Sequence, residues 1–425
     1  MAEALRHNKT VSLSLLVVFV VLSVRPVVEA GSLVIRYDAN GQVDWVRDNH
    51  DDSSAEKVST DGSGNVFVSL YESALAIDWQ GQLLWQQDFP MLIEDFVVTD
   101  NGYSYWDCSD GEACVVKLDP DGQPVWNAKL QGTSVVLFVL REDDTPYVLT
   151  YCNEVEENSR CLMRLSEDGE PMWTTWVEKP GQYDVAATSL HLGPDESVYV
   201  CGWLSQSSDQ PGVVYRYDEN GEMVWRTELD DARQPEVFAV DDEGNAYIPF
   251  GMDSINGEVG LYLKKLNAEG IEEWTQVHDL GTYHAVSAID VNAQHQIAVA
   301  SCDENGSSET ARIAVFEPSG QQIWVTSLEE EVACFREIVI ADDNSVFATG
   351  GICSEAEEQE HGCRMVTAKI NSNGEFLWIA KHDSDHGDQE EGLDIDISGE
   401  GDVVVVGNYV TGSEDEDEDS AGCGC

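Results

Sequence analysis

The sequence predicts an all-β fold made of a repeated four-stranded antiparallel unit, and three observations predict it. An apolar pair, a Gly-centred turn and a Trp four residues after that Gly recur eight times, ending at Trp45, Trp85, Trp126, Trp173, Trp225, Trp274, Trp324 and Trp378. Between successive Trp units lies a second hairpin, as in EVFAVDDEGNAYIPFG (236–251), EIVIADDNSVFATGG (336–351) and GLDIDISGEGDVVVVG (392–407). After residue 30 the chain opens with a Trp-type hairpin (33–47) and closes with one of the second type (392–409). Recurrence every 40 to 54 residues marks a repeat architecture, whose units bury their faces only against neighbours.

Residues 1–30 read as a secretory signal peptide. Arg6, His7 and Lys9 supply the charged start, Val11 to Val24 the apolar run, and Val28-Glu29-Ala30 the permissive end before Gly31. Fourteen residues fall short of the roughly twenty that a helix needs to span a bilayer, and no later segment is apolar enough. The expectation is an exported protein, secreted or at the cell surface or in a periplasm, with no membrane span once the signal is removed.

Within each repeat the turn has a mechanism. In Asp119-Pro120-Asp121-Gly122, Pro sets φ for a type I turn and Gly takes the positive φ that closes a hairpin with a G1 bulge. Asn40-Gly41, Asn220-Gly221 and Asn373-Gly374 meet the same need. The second strand of the other hairpin is continuously apolar, as in Val66-Phe67-Val68, Tyr199-Val200-Cys201 and Val403 to Val406, so it is covered on both faces. Each unit thus has strands A to D with the Trp on the outermost, D. Such a sheet cannot cover both faces alone, and radial stacking gives a β-propeller. The two orphan hairpins supply the halves of one more blade, which closes a ring of eight over 31–410. An open solenoid would leave both halves with exposed edges.

The hairpin consensus (apolar strand, Asp-x-x-Gly-Asn, apolar strand, Gly) followed by Lys-Leu-Asp-x-x-Gly-x-x-x-Trp resembles the β-propeller repeat of secreted bacterial proteins. Its Gly-x-x-x-Trp part is similar to the Trp-docking motif of quinoprotein dehydrogenase-type eight-bladed propellers. The resemblance covers nearly all of 33–409. It implies the fold and leaves function open, because the fold hosts enzymes and scaffolds alike.

Export agrees with the cysteines. Cys108/Cys114, Cys152/Cys161 and Cys353/Cys363 each bracket a short polar loop between apolar runs, where a disulfide can clamp two paired strands. Cys201, Cys302 and Cys334 lie outside these pairs, and the pairing of Cys302 with Cys334 stays open.

Strand order sends A–B and C–D turns to one face and the longer B–C and D–A loops to the other, where function is expected. The densest constellation there is His382-Asp383-Ser384-Asp385-His386-Gly387-Asp388, followed by Glu390 and Glu391, with His50-Asp51-Asp52 next to it around the ring. Imidazole with carboxylate suits a divalent transition metal and carboxylates alone suit Ca²⁺, while a solvated acidic loop is the plainer reading. His278 and His284 occupy the corresponding loop two blades earlier. The Asp-x-Asp-Gly turns lack the distal Glu of a calcium loop, so turn chemistry explains them. Trp203 opens the 203–212 loop and could stack on a sugar or other flat ligand, or pack between blades.

Composition excludes several functions. With 22 Lys+Arg against 81 Asp+Glu the net charge is −59, so no basic footprint exists for nucleic acid, and anionic membranes repel the chain. Such acidity also predicts a thermal midpoint that rises from dilute buffer to molar salt, and a flat midpoint would refute that. There is no Gly-x-Ser-x-Gly, His-Glu-x-x-His or phosphate-binding Gly-Lys-Ser/Thr loop, and no adjacent cysteines of the kind a quinoprotein dehydrogenase stacks on its quinone. Residues 411–425 form an acidic tail ending Cys-Gly-Cys, expected to be disordered. The leading expectation is a monomeric, cofactor-free scaffold that binds a protein or surface ligand. The alternative is a propeller hydrolase or oxidoreductase with a metal near His382, His386 and His50.

Overall fold

The turn grammar read above is realised in all eight repeats. In a computed structural model, each C–D connection spans five residues, from 38–42 to 371–375, and its Gly holds a φ between 75° and 84°. The Asp or Asn that opens most of these turns accepts two backbone N–H bonds with one side-chain oxygen. Asp38 Oδ1, for example, accepts from Asn40 at 2.9 Å and Gln42 at 2.8 Å. The opening carboxylates of these turns point into their own backbones, the geometry of a turn cap. A register shift follows every such turn, as between Arg36 and Tyr37, and this is the bulge that lets Gly carry the positive φ.

The described residues are 30–49, 54–89, 93–141, 143–152, 160–178, 185–205, 207, 210–255, 258–278, 284–304, 309–328, 332–353, 363–382, 389–398 and 401–410. They contain 32 strands in eight four-stranded antiparallel blades. Blade 1 combines Gln389–Ile397 and Val403–Val410 with Ala30–Tyr37 and Val43–Asn49. Blades 2 to 8 follow in order over 55–88, 96–129, 135–176, 185–233, 239–278, 284–328 and 332–382. Blades 8 and 1 also share a single parallel bridge, Cys363 to Gln389. Among the described residues no helix is long and apolar enough to cross a membrane.

Ring closure is made by the expected pairing of the two orphan hairpins. Leu33 lies opposite Gly407, Ile35 opposite Val405 and Tyr37 opposite Val403 in one antiparallel register. The core is distributed accordingly, with eight hydrophobic clusters that each fill one of the eight blade interfaces. The B strands that read as continuously apolar, such as Val66–Leu70, are buried along their whole length.

Each Trp on strand D docks against the Gly of the next C–D turn. A Cβ on Gly122 would sit 2.6 Å from the Trp85 ring, and one on Gly41 would sit 2.5 Å from Trp378 across the closure. Six of the eight indoles also donate Nε1–H to a carbonyl in that turn, for example Trp126 to Glu167 at 2.8 Å and Trp378 to Ala39 at 3.2 Å. Gly is therefore required twice at this position, for φ and for the ring lying on it.

The inner rim has its own device. The A strands line the centre, each against the A strands of both neighbouring blades. Their free edges would leave backbone N–H groups unpaired. Four aspartates meet this need with both oxygens. Asp95 accepts the N–H of Phe96 at 2.8 Å and, across the interface, that of Phe138 at 2.6 Å. Asp290 does so for Val291 and Ile340, Asp394 for Ile395 and Val58, and Asp396 for Ile397 and Thr60.

Four disulfides are present among the described residues. Cys108–Cys114, Cys152–Cys161 and Cys353–Cys363 clamp the B–C hairpins of blades 3, 4 and 8. The fourth, Cys302–Cys334, joins strand B of blade 7 to strand A of blade 8 and is fully buried. Cys201 is a buried free thiol whose pKa burial pushes up to about 12, so it is inert as a nucleophile.

Candidate functional site

The two faces differ in their chain connections. All sixteen A–B and C–D connections are five residues long. On the opposite face the B–C and D–A connections vary, from 71–72 through 205–210 to 354–362. The three hairpin disulfides sit on this variable face. Uniform turns are spacers; connections that differ from blade to blade can present a shape of their own.

Of the metal constellation read from the sequence, His382 ends the outer strand Phe376–His382 of blade 8 and pairs with Met365. Asp383, Asp385, His386 and Asp388, with His50, Asp51 and Asp52, lie outside the described residues. Glu390 and Glu391 do not extend that loop. Both belong to the inner strand of blade 1, where Glu390 is buried and Glu391 forms an ion pair with Arg336 of blade 8. His278 ends strand D of blade 6 with its ring 4.4 Å from that of Phe316, and burial lowers its pKa. His284 begins strand A of blade 7. Trp203 lies within strand B of blade 5, half-buried opposite Gly212, and does not open a loop.

Where the inner strands begin, three blades carry an acid toward the variable face. Glu56, Glu94 and Glu236 occupy the same place in blades 2, 3 and 6, five residues before their A–B turns. Burial, with Glu94 acting on Glu56 and Asp95 on Glu94, raises the first two; burial alone raises Glu236. Beside them Asp107, at the end of strand B in blade 3, is 1% exposed. Its Oδ1 accepts the Ser109 N–H at 2.9 Å, its Oδ2 has no partner among the described residues, and burial pushes its pKa up to about 6. Lys57 reaches into this cluster and pairs with Asp95.

On the uniform face one junction carries an imidazole. His295, in the A–B turn of blade 7, has φ 60° and lies against the corresponding turn of blade 6. Its Nδ1 is 3.1 Å from Asp241 Oδ2 and its Nε2 3.1 Å from Asp242 Oδ1. Asp241 is buried and held by Asn245 and by the Tyr247 hydroxyl at 3.0 Å, and Glu243 completes a group whose ligand atoms all lie within 4.8 Å of one another. The sequence reading passed over this group because His295 lies 54 residues from Asp241. Laying the eight A–B turns over one another would have placed His295 beside Asp241.

No protein-family model and no curated protein matches the chain. Solved structures do. The Dos1 propeller shares 11% identity over 83% of this chain and 92% of its own, with a TM-score of 0.57. Sqt1 of Saccharomyces cerevisiae shares 10% over 85% and 97%, with a TM-score of 0.52. BamB from Moraxella catarrhalis shares 12% over 88% and 91%, at 0.48. At such identities the likeness concerns the fold, and the chain is an eight-bladed β-propeller.

Proposed function

We propose that the protein is an exported interaction scaffold, released after a signal peptide at 1–30, that binds a protein or surface ligand through its variable face. The observation that carries this reading is the division of the connections: sixteen identical in length on one face, and on the other a set that runs from two residues (71–72) to nine (354–362), three of them clamped by disulfides. A rigid ring with a variable rim suits recognition, and stiffened loops lose less entropy on binding. Disulfides fit an oxidising compartment, and the acidity of the chain favours a cationic or neutral partner over nucleic acid.

The test is photo-crosslinking on cells that produce the protein. Crosslinkers placed at Tyr71 and Gln210 on the variable face are expected to give discrete adducts, while those at Asn40 and Asp121 on the uniform face give none. Equal adducts from both faces, or none from either, would overturn the reading. A stoichiometric organic cofactor found by native mass spectrometry of the mature protein would favour an enzyme instead.

A further inference from the structure

We propose that Asp241, Glu243 and His295 bind a divalent first-row transition metal ion of the Zn²⁺ type at the junction of blades 6 and 7, on the face opposite the proposed recognition surface. Two donors bound cis to such an ion at ~2.1 Å lie about 3.0–3.4 Å apart. His295 Nδ1 and Asp241 Oδ2 are 3.1 Å apart, and the Glu243 carboxylate, exposed on the same side, supplies a third donor. Solvent completes the coordination, since His295 is 22% exposed.

The surroundings are those of a supported ligand set. When one nitrogen of an imidazole binds metal, the other needs an acceptor to hold the tautomer. Asp242 Oδ1 supplies it, 3.1 Å from Nε2. Asp241 is oriented in turn by the Asn245 amide at 2.8 Å and the Tyr247 hydroxyl at 3.0 Å. Imidazole in the set argues for a transition metal over calcium.

The ring contains its own control. A side chain at the left-handed position of one A–B turn faces the first residue of the preceding turn, as Asn344 faces Asn292 at 2.6 Å. Asp61 of blade 2 is capped like Asp241, and the position facing it is Gly102, where a Cβ would lie 3.2 Å from Asp61 Oδ2. The same carboxylate recurs, but only blade 7 sets an imidazole against it.

The experiment is calorimetric titration of the full chain with ZnCl₂ in excess Ca²⁺, which occupies carboxylate-only sites, with Cys423 and Cys425 replaced by Ser to remove the thiols of the tail. One calcium-resistant Zn²⁺ site per chain is expected, lost in H295A and weakened roughly tenfold in E243Q and in D242N. Co²⁺ bound at the same site should give a visible absorption band that H295A abolishes. E243Q changes an exposed group, so it tests the site even if H295A fails to fold. Equal Zn²⁺ affinity in wild type, E243Q and a folded H295A would overturn the proposal. So would the absence of any calcium-resistant site, which would leave His295 as a polar clamp between Asp241 and Asp242.

Discussion

Gly122 carries two separable demands, and a second glycine isolates one of them. Gly111 holds a similar φ, 73° against 76°, but a Cβ there meets nothing within 4 Å, whereas at Gly122 it meets the Trp85 ring. G111A should therefore cost only the left-handed penalty of about 1–2 kcal/mol. G122A should cost more, approaching the ~3–5 kcal/mol expected when W85A removes the indole altogether. Denaturant midpoints check both; equal losses would mean that the indole does not rest on the turn. Asp107 makes a prediction in pH. Its folded pKa of about 6 lies above the ordinary 3.8, so the native state holds this proton more tightly than the unfolded chain between those values. Ionisation in the folded protein then costs up to about 3 kcal/mol above pH 6. D107N should be more stable than wild type at pH 7.5, with the gain fading below pH 4. A gain equal at both pH values would refute the buried carboxylate as its cause.

At the scale of the strand, the open inner edge is the element's weak point, and the aspartates are its remedy. D290A would strip acceptors from the Val291 and Ile340 N–H groups together. Leaving a buried donor unpaired costs about 1–3 kcal/mol. The expected signature is local: hydrogen exchange should accelerate at Ile340, one blade away, as well as at Val291. Acceleration confined to Val291 would show that the carboxylate does not bridge the blades. The outer edge is managed differently, since each D strand places its Trp beneath the neighbouring turn. That part was legible, because Gly-x-x-x-Trp repeats within each unit. The inner bridges were not, because Asp290 and Ile340 meet only through the ring.

For the whole molecule, closure has no single seam. The strand pairing of Leu33 with Gly407, the docking of Trp378 on Gly41 and the apolar clusters on either side of blade 1 all bridge the two ends of the chain. Cys302–Cys334 adds a covalent tie between blades 7 and 8. It closes 32 residues against 6 for Cys108–Cys114, so on loop entropy C302S/C334S should lose roughly 4 kcal/mol and C108S/C114S roughly 2. Comparison of the two double variants by thermal unfolding checks the order. A larger loss from the local pair would place the constraint in the hairpin rather than between blades.

Whatever recurs within one repeat could be read from the chain alone: the turn, the docked Trp, the count of eight, the shared blade and the three hairpin cysteine pairs. These depend on neighbours a few residues apart or on a pattern that announces its own period. The Cys302–Cys334 bridge, the aspartates of the inner rim and the group around His295 were decided by tertiary structure. Each joins residues of adjacent blades, whose separation of 32 to 54 positions, or 336 across the ring closure, carries no local signal until stacking brings equivalent strands and turns side by side.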